Sequence, residues 1–444
     1  MQFKSDSLLF KGAYATINMF GTVLPLEYTG AKDEYLACRS TAWLGSALNC
    51  SPVMDIIGPD AAKFLNKYCV NRDFSLMEPG SSKHAVMCNE AGNMIADGVV
   101  MYRGDGVYRT YWLAPVIFYY TLTCGMDVKG EWKQDEYFFQ IDGPKSLEIL
   151  EEATQTDLHD IKFAKNRIVK ISGTDMVVHR LGMSGGLAYE VHGAAEDAET
   201  AYARLREVTE KFGGKMQGFR NYTYLNHTPA GYPNQFQHFC YDVYNECDSG
   251  LAAFAKENCP PQFFAGSAQA DQNALHVTPY DIGWGYLVNY NHDFIGKEAL
   301  AAAKEAKARK MVTLEWNADD VADVFASQFR GKNVKPYEPI ESYHDGYNGS
   351  SPMPTRGDWV VTEDGTKIGV ACGRAYAFHE QRMISLCSMK AEYAVEGKEY
   401  KVLWGRPEYP VKEIRVKVAQ FPYYNEEYRN ETFDTEKIPH PKFD

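Results

Sequence analysis

The chain has 444 residues, of which 45% are hydrophobic and 24% charged, an ordinary globular balance that leaves room for two to three domains. Its formal net charge is −13 and it has no dense lysine and arginine cluster, so nucleic acid is not expected as a partner. No run of 18 apolar residues and no apolar segment near residue 1 is present, so we expect a soluble cytoplasmic protein without a membrane partner.

Strand-like and helix-like runs alternate over the first 300 residues. Strands are predicted at Val53–Ile57, Gly98–Tyr102, Val107–Leu113, Tyr137–Ile141, Ile168–Ile171, Met176–Leu181 and Ala188–His192. Helices are predicted at Pro59–Tyr68, Pro144–Glu152, Ala194–Phe212 and Gly296–Ala306. Several strand pairs are joined too tightly for parallel crossovers, so the pattern predicts an antiparallel α+β arrangement.

The pattern changes after Lys310, where strand-like runs follow one another with turn residues between them. These runs are Lys310–Trp316, Trp359–Thr362, Lys367–Ala371, Arg382–Ser388, Lys398–Leu403 and Glu413–Val418. They predict a C-terminal β barrel or sandwich. We therefore expect two regions: residues 1–300, with two interleaved α+β subdomains, and residues 301–444, with the barrel.

Ten cysteines are scattered along the chain, and no two of them form a C-x-x-C pair. Structural metal sites and redox motifs usually depend on such spacing. In a non-secreted protein, isolated cysteines are mostly small buried hydrophobic residues. We therefore expect free thiols and no metal site.

Three motifs resemble the glycine-cleavage T-protein superfamily: AGNMIADGVVMYR from Ala91, GGLAYEVHG from Gly185 and IGWGYLVNYNHDFIGKEAL from Ile282. Other segments are similar to its tetrahydrofolate-dependent O-demethylases of vanillate, syringate and related aromatics. They are KGAYATI from Lys11, VTLEWNADDVADVFASQF from Val312, VLWG at 402–405 and FPY at 421–423. The resemblance covers roughly residues 10 to 430. It implies a three-domain cloverleaf fold and a methyltransferase that uses tetrahydrofolate as the methyl-accepting co-substrate.

Demethylation of an aryl ether requires help for the departing phenolic oxygen. A general acid is typically worth about 10²–10⁴-fold, and a tyrosine suits a phenol leaving group because both have a pKa near 10. In the O-demethylases the acid tyrosine follows a Gly-x-Arg-x pattern, which matches Gly218 to Tyr222 here. The resemblance therefore implies Tyr222 as the acid. Tyr224 is the alternative, because the alignment with the family pattern places one inserted residue before Tyr232.

Folate recognition needs a carboxylate for the amino-pyrimidine edge and an aromatic surface for the pteridine. The resemblance implies Glu190 for the first role. Tyr232 stands where the demethylases carry a tryptophan beside the folate. Asp97 stands where the T-protein relatives keep an acidic residue near the reacting nitrogen.

The substrate end departs from the benzoate-type demethylases. Leu113 occupies the place of their carboxylate-binding arginine, and Cys50 that of a substrate-touching histidine. Arg109, four residues earlier, is expected on the same strand face, but about 13 Å away along the chain. A neutral methoxylated aromatic is therefore the expected methyl donor, giving a phenol and 5-methyltetrahydrofolate.

Two other functions remain open from the sequence. One is demethylation or aminomethyl transfer from an N- or S-methyl donor, for which Tyr14, Trp43 and Trp112 are candidate cage residues. The other is a non-catalytic folate-binding scaffold, although the Lys-Gly-Cys-Tyr motif of such superfamily members is absent. The oligomeric state is left open.

Overall fold

The structure is a computed structural model that describes residues 3–244, 248–345, 354–424 and 429–443. Within these residues the strands are β1 (Ala15–Met19), β2 (Thr22–Glu27), β3 (Trp43–Gly45), β4 (Val53–Ile57), β5 (Ser81–Cys88), β6 (Met94–Gly104), β7 (Val107–Tyr111), β8 (Lys129–Lys133), β9 (Glu136–Asp142), β10 (Asn166–Ile171), β11 (Thr174–His179), β12 (Ala188–Ala194), β13 (Lys215–Gln217), β14 (Phe263–Ala265), β15 (Arg309–Trp316), β16 (Pro354–Val361), β17 (Lys367–Ala377), β18 (Arg382–Lys390), β19 (Glu399–Trp404) and β20 (Lys412–Ala419). The helices are α1 (Ala31–Ser40), α2 (Ala61–Tyr68), α3 (Val116–Thr123), α4 (Ser146–Thr154), α5 (Ala198–Lys211), α6 (His227–Ala230), α7 (Ser249–Asn258), α8 (Lys297–Ala306) and α9 (Ala318–Ser327).

Two antiparallel sheets make up most of the first 220 residues. One has the order β5-β6-β7-β4-β8, and the other has the order β10-β11-β12-β9-β3, with β13 added parallel to β3. Each sheet has its own apolar core. Met54 and Ile56 of the first sheet share a core with Phe64 of α2, whereas the second sheet shares a core with α4 and α5.

Strand β12 shows how this layering positions polar groups. Successive side chains of a strand point to opposite faces. Tyr189 and Val191 are in the core of α4 and α5. Glu190 and His192 therefore point to the opposite face, where His192 meets Tyr111 of the first sheet.

The C-terminal region contains a closed six-stranded barrel with the order β16-β17-β18-β15-β20-β19, which the β16–β19 pairing closes. The α+β fold with a C-terminal barrel is thus confirmed. Strand β14 lies before residue 300 but pairs with β16. Residues 429–443 return to the second sheet, where Phe433 and Ile438 join its core. The sheet connections therefore do not follow the expected division at residue 300.

The differences from the predicted elements are local. Strand β7 ends at Tyr111 rather than Leu113, because Trp112 has a φ of 69° and turns the chain. Helix α9 was not predicted; the side chain of Asn317 caps it by accepting from the Asp319 and Asp320 amides, both at 3.1 Å.

None of the helices in the described residues is long and apolar enough to cross a membrane. Nine of the cysteines are described, and they are free thiols, as expected. Cys247 lies outside the described residues.

Candidate active site

A cavity of about 650 Å³ lies where the two sheets face each other. Its wall includes the tip of the β1–β2 hairpin, the segment 47–53, residues 96–99 of β6, the segment 111–116 and residues 233–236. Both sheets contribute to one apolar cluster beside it, through residues such as Val99 and Phe138. The cavity is thus built at the junction of the two α+β layers.

The tyrosine motif enters this cavity on a π-helical turn, Arg220–Asn226. Such turns are rare in proteins as a whole, but those that occur are often found at functional sites. Gly218 lies so close to β2 that an added Cβ would be 2.0 Å from the Leu26 carbonyl oxygen. The fully buried carboxylate of Glu34 accepts hydrogen bonds from the Gly218 amide at 2.9 Å and the Asn221 side chain at 3.3 Å. These contacts fix the start of the turn that carries Tyr222.

Tyr222 lines the cavity and is buried. Its ring packs edge-on against Trp43 and His227, with centroid distances of 6.0 Å and 5.8 Å. Burial, followed by the nearby charge of Glu190, raises the pKa of the Tyr222 hydroxyl well above its ordinary value of 10. The hydroxyl therefore keeps its proton throughout the neutral pH range.

Tyr224 also lines the cavity, but it has different neighbours. Its ring is stacked on His344 at 4.4 Å, with an interplanar angle of 13°, and its carbonyl accepts from Gln237 at 2.7 Å. His344 also contacts Arg220 at 2.8 Å. Tyr224 thus connects the turn to the segment before the barrel, whereas Glu190 is among the charges that act on Tyr222.

Glu190 lies in the cavity wall and is only 4% exposed. Its carboxylate accepts no hydrogen bond from the described residues, and its ion-pair contact is with His179 Nδ1 at 3.7 Å. His179 in turn contacts Ser82 Oγ through Nε2 at 2.7 Å. A buried carboxylate without hydrogen bonds is costly, so a ligand is its most suitable partner. His179, Glu190 and His192 also offer ligand atoms within 4.8 Å of one another.

Asp97 is the other carboxylate of interest in the wall. His84 Nε2 lies 2.9 Å from one of its oxygens, and the Tyr241 hydroxyl donates to the other at 2.5 Å. The Asp97 amide donates back to the same hydroxyl at 2.9 Å. Asp97 is therefore held in place by hydrogen bonds, within reach of the cavity and connected to a histidine.

The comparisons with known proteins agree with this architecture. The family model of the GCVT N-terminal domain matches residues 7–233, more than half of the chain. The chain belongs to the GCVT family. The resemblance inferred from the motifs is thereby confirmed.

Two relatives define the branch of the GCVT family. The chain is 45% identical to a sesamin methylene transferase from Sinomonas sp. (strain No.22), over 99% of this chain and 98% of that protein. It is 27% identical to a syringate O-demethylase from Sphingobium sp. (strain NBRC 103272 / SYK-6), over 90% of each. Both are enzymes that transfer or remove one-carbon groups. The chain is therefore an enzyme, a transferase of this branch, and not a non-catalytic scaffold.

A solved structure supports the fold. The aminomethyltransferase T of the glycine cleavage system from Bartonella henselae superposes with a TM-score of 0.69 and 16% identity, covering 95% of this chain and 98% of that one. This GCVT-like fold is the one that the sequence motifs imply.

The remaining site residues predicted from the sequence divide into two groups. Cys50 and Leu113 line the cavity. Burial raises the pKa of the Cys50 thiol to about 12, so the thiol is neutral. Both residues present apolar or uncharged surface to the cavity.

Arg109, Tyr14 and Tyr232 lie outside the cavity lining. Arg109 is bound to Asp55 at 2.7 Å and 2.8 Å and to Glu136 at 3.1 Å, so a substrate does not need to neutralise it. Tyr14 is 69% exposed, and its hydroxyl donates to Glu27 at 2.5 Å, with Arg220 on the same carboxylate.

Tyr232 is adjacent to the lining residue Pro233. Its carbonyl accepts from His227 Nδ1 at 3.0 Å, and the Arg429 guanidinium lies 5.5 Å from its ring centroid. The structure therefore gives Tyr232 a place beside the cavity, and its ring already has a cationic neighbour.

Sequence reasoning did not find Glu34, His84 or Tyr241. None of them lies in a recognised motif. Strand β5, which carries His84, was not predicted, and the pairing of Val86 with Asp97 is what brings His84 near that carboxylate. A sequence signal was available only for the partner, Asp97.

Proposed function

We propose that this GCVT-family enzyme transfers a one-carbon unit from the ether oxygen of an uncharged aromatic compound to N5 of tetrahydrofolate, with Tyr222 as the general acid. The observation that carries the proposal is that the buried Tyr222 and the Glu190 carboxylate, which accepts no hydrogen bond from the described residues, line the same cavity. A donor for the leaving oxygen and an acceptor for the folate edge therefore line one cavity. The names of both aromatic-compound relatives support this donor class.

For a methoxyl donor, the reaction is a single displacement. The N5 lone pair forms a bond to the methyl carbon, the C–O bond breaks, and its electron pair stays on the phenolic oxygen. Tyr222 stabilises this oxygen by a hydrogen bond or a proton, and the proton lost from N5 restores the balance. The products are a phenol and 5-methyltetrahydrofolate. The acid contributes roughly 10²–10⁴-fold, and the enclosed cavity aligns the reacting atoms.

The residues present fit tetrahydrofolate at its amino-pyrimidine edge, which carries N–H donors. The Glu190 carboxylate lacks hydrogen bonds from the described residues and can accept both of these donors. Tyr232, beside the cavity, is proposed to shape the wall for the pteridine. Asp97, held by His84 and Tyr241, is proposed to receive a proton from the folate nitrogens.

A methylene donor is the second candidate, because the relative that is 45% identical is named a methylene transferase. For an aromatic ring with two oxygens bridged by one CH₂, N5 and N10 displace the oxygens in turn. Two C–O bonds break, two C–N bonds form, and two N–H protons move to the two phenolic oxygens. This reaction needs a second proton carrier, and Asp97 with His84 at 2.9 Å suits that role.

The charges of the lining support an uncharged donor. Among the described lysines and arginines, Lys133 alone lines the cavity, and it faces Glu131 at 3.4 Å and Asp55 at 3.8 Å. A donor carboxylate would thus meet no unpaired cation and would approach Glu190 and Asp97. Cys50 and Leu113 add uncharged surface at the proposed donor end.

The test is an anaerobic incubation with tetrahydrofolate and single donors: guaiacol, vanillate, 1,3-benzodioxole, an N-methyl amine and an S-methyl sulfonium. Folate and phenol products are followed by mass spectrometry. We expect 5-methyltetrahydrofolate from guaiacol or 5,10-methylenetetrahydrofolate from benzodioxole, each with catechol, and far less product from vanillate. Product from the amine or sulfonium alone would contradict the ether reaction and favour the N- or S-methyl alternative.

A further inference from the structure

Three aromatic residues have backbone conformations that aromatic residues rarely adopt. Phe20, Trp112 and Phe236 have φ values of 51°, 69° and 64°. They are the only aromatic residues among the described non-glycine residues with positive φ, and all three line the cavity. In this region the Cβ of an L-residue crowds the backbone, so the conformation costs free energy unless the residue is glycine or asparagine. Such outliers cluster at functional sites.

Backbone contacts hold each of the three in place. Phe20 is the first turn residue of the β1–β2 hairpin, a position where asparagine is usual, and it precedes Gly21. The Trp112 amide donates to the Pro52 carbonyl at 3.2 Å, and the Phe236 amide donates to the Phe239 carbonyl at 3.0 Å. The turns therefore do not require aromatic side chains, which are the less favourable choice there.

The three rings are also unstacked. Aromatic contacts are common around the cavity, for example between Tyr222 and Trp43. Within the described residues, however, Phe20, Trp112 and Phe236 take part in no ring–ring or cation–ring contact. Phe20 is 50% exposed, and the other two are half-buried. No aromatic or cationic side chain of the described residues therefore stacks on these three rings, and each ring keeps exposed surface at the cavity wall.

Trp112 links these rings to the proposed acid, because it packs against the same apolar cluster as Tyr222. We propose that Phe20, Trp112 and Phe236 form an aromatic collar that binds the uncharged ring of the one-carbon donor and determines donor specificity. This inference rests on the proposed function, since it takes the donor to be an aromatic ether. Stacking on aromatic faces selects flat rings, and the absence of an unpaired lysine or arginine in the described lining disfavours anionic ones.

The test uses Phe20→Asn, Trp112→Asn and Phe236→Asn. Asparagine removes the ring but tolerates positive φ. The backbone strain in the folded protein therefore falls, while the contact with the ligand is lost. Dissociation constants for guaiacol and 1,3-benzodioxole are measured by calorimetry without folate, together with the thermal unfolding temperature. We expect about tenfold weaker donor binding for Trp112→Asn and Phe236→Asn, a smaller loss for Phe20→Asn, and an unchanged or higher unfolding temperature. Tetrahydrofolate binding should stay within twofold of wild type.

Phe325→Asn is the matched control, because Phe325 is 61% exposed and lies outside the cavity lining. It should leave both ligands unaffected. Donor binding at wild-type strength in all three collar variants would overturn the collar. Weaker donor binding in the variants, combined with no one-carbon transfer by the wild type, would support the collar and contradict only the proposed reaction.

Discussion

Two buried carboxylates in different regions have almost the same exposure and opposite surroundings. Glu338, beside the barrel, is 5% exposed and accepts from Arg356 at 2.8 Å and 3.1 Å and from Arg406 at 2.7 Å. Burial alone would raise its pKa, but the hydrogen bonds and charge of Arg356 lower it. Glu190, in the cavity, is 4% exposed and accepts no hydrogen bond from the described residues.

The difference shows that burial alone does not mark a functional carboxylate. A buried charge is tolerated where other groups of the protein pair with it, and this pairing is structural. Where the protein supplies no hydrogen bond, the buried charge raises the free energy of the folded protein, and a ligand with N–H donors lowers it. Glu338 thus belongs to the first class, and we assign Glu190 to the second.

The largest effect is expected at Tyr222, which lines the same cavity as Glu190. Tyr222→Phe removes only the hydroxyl, so kcat should fall about 10²–10⁴-fold while the unfolding temperature changes little. Tyr224→Phe is the matched control and should lose much less activity. Steady-state kinetics with the active donor provides the measurement. Equal losses in both variants would contradict the assignment of the acid to Tyr222.

The next effect concerns stability in the paired region. Arg356→Met leaves Glu338 and Asp358 without their shared guanidinium, which lies 2.7 Å from Asp358. The free energy of unfolding should fall by about 3–5 kcal/mol, because the loss strands buried charge. KM for both substrates should stay unchanged in the protein that remains folded. Urea unfolding gives the measurement, and an unaltered midpoint would show that this network is not structural.

A third prediction uses the pH dependence of stability to test the effect of burial on the pKa of one residue, His227. Burial lowers the pKa of His227 from 6.5 to about 4. Between about pH 4 and pH 6.5 the unfolded chain therefore binds a proton at His227 that the folded chain does not. The contribution of neutral His227 to the free energy of unfolding is complete above about pH 6.5. It is lost progressively as pH falls toward 4 and amounts to ~3 kcal/mol at 1.36 kcal/mol per unit. Urea unfolding between pH 7.5 and 4.5 should show a flatter profile for His227→Gln than for wild type; parallel profiles would contradict the prediction.

Local sequence patterns predicted much of the fold but little of the pairing inside the cavity. The strand at Val53–Ile57 was predicted with its observed bounds, because alternation and turn residues are local signals. The proposed roles of Tyr222 and Glu190 came from motifs. The Glu34 contact with Gly218 joins residues 184 apart in sequence, and no local pattern encodes it. The exposed position of Tyr14 and the pairing of Arg109 depend on tertiary contacts in the same way.

The most direct measurement is the dissociation constant of tetrahydrofolate for wild type, Glu190→Gln and Glu136→Gln, determined anaerobically by calorimetry. Glu136 is the matched control, because it lines the same cavity but is paired with Arg109 at 3.1 Å. We predict at least tenfold weaker tetrahydrofolate binding for Glu190→Gln, about 1.4 kcal/mol, without loss of stability. Glu136→Gln should bind the folate like wild type. Wild-type affinity in Glu190→Gln would contradict the proposal that the Glu190 carboxylate binds the folate.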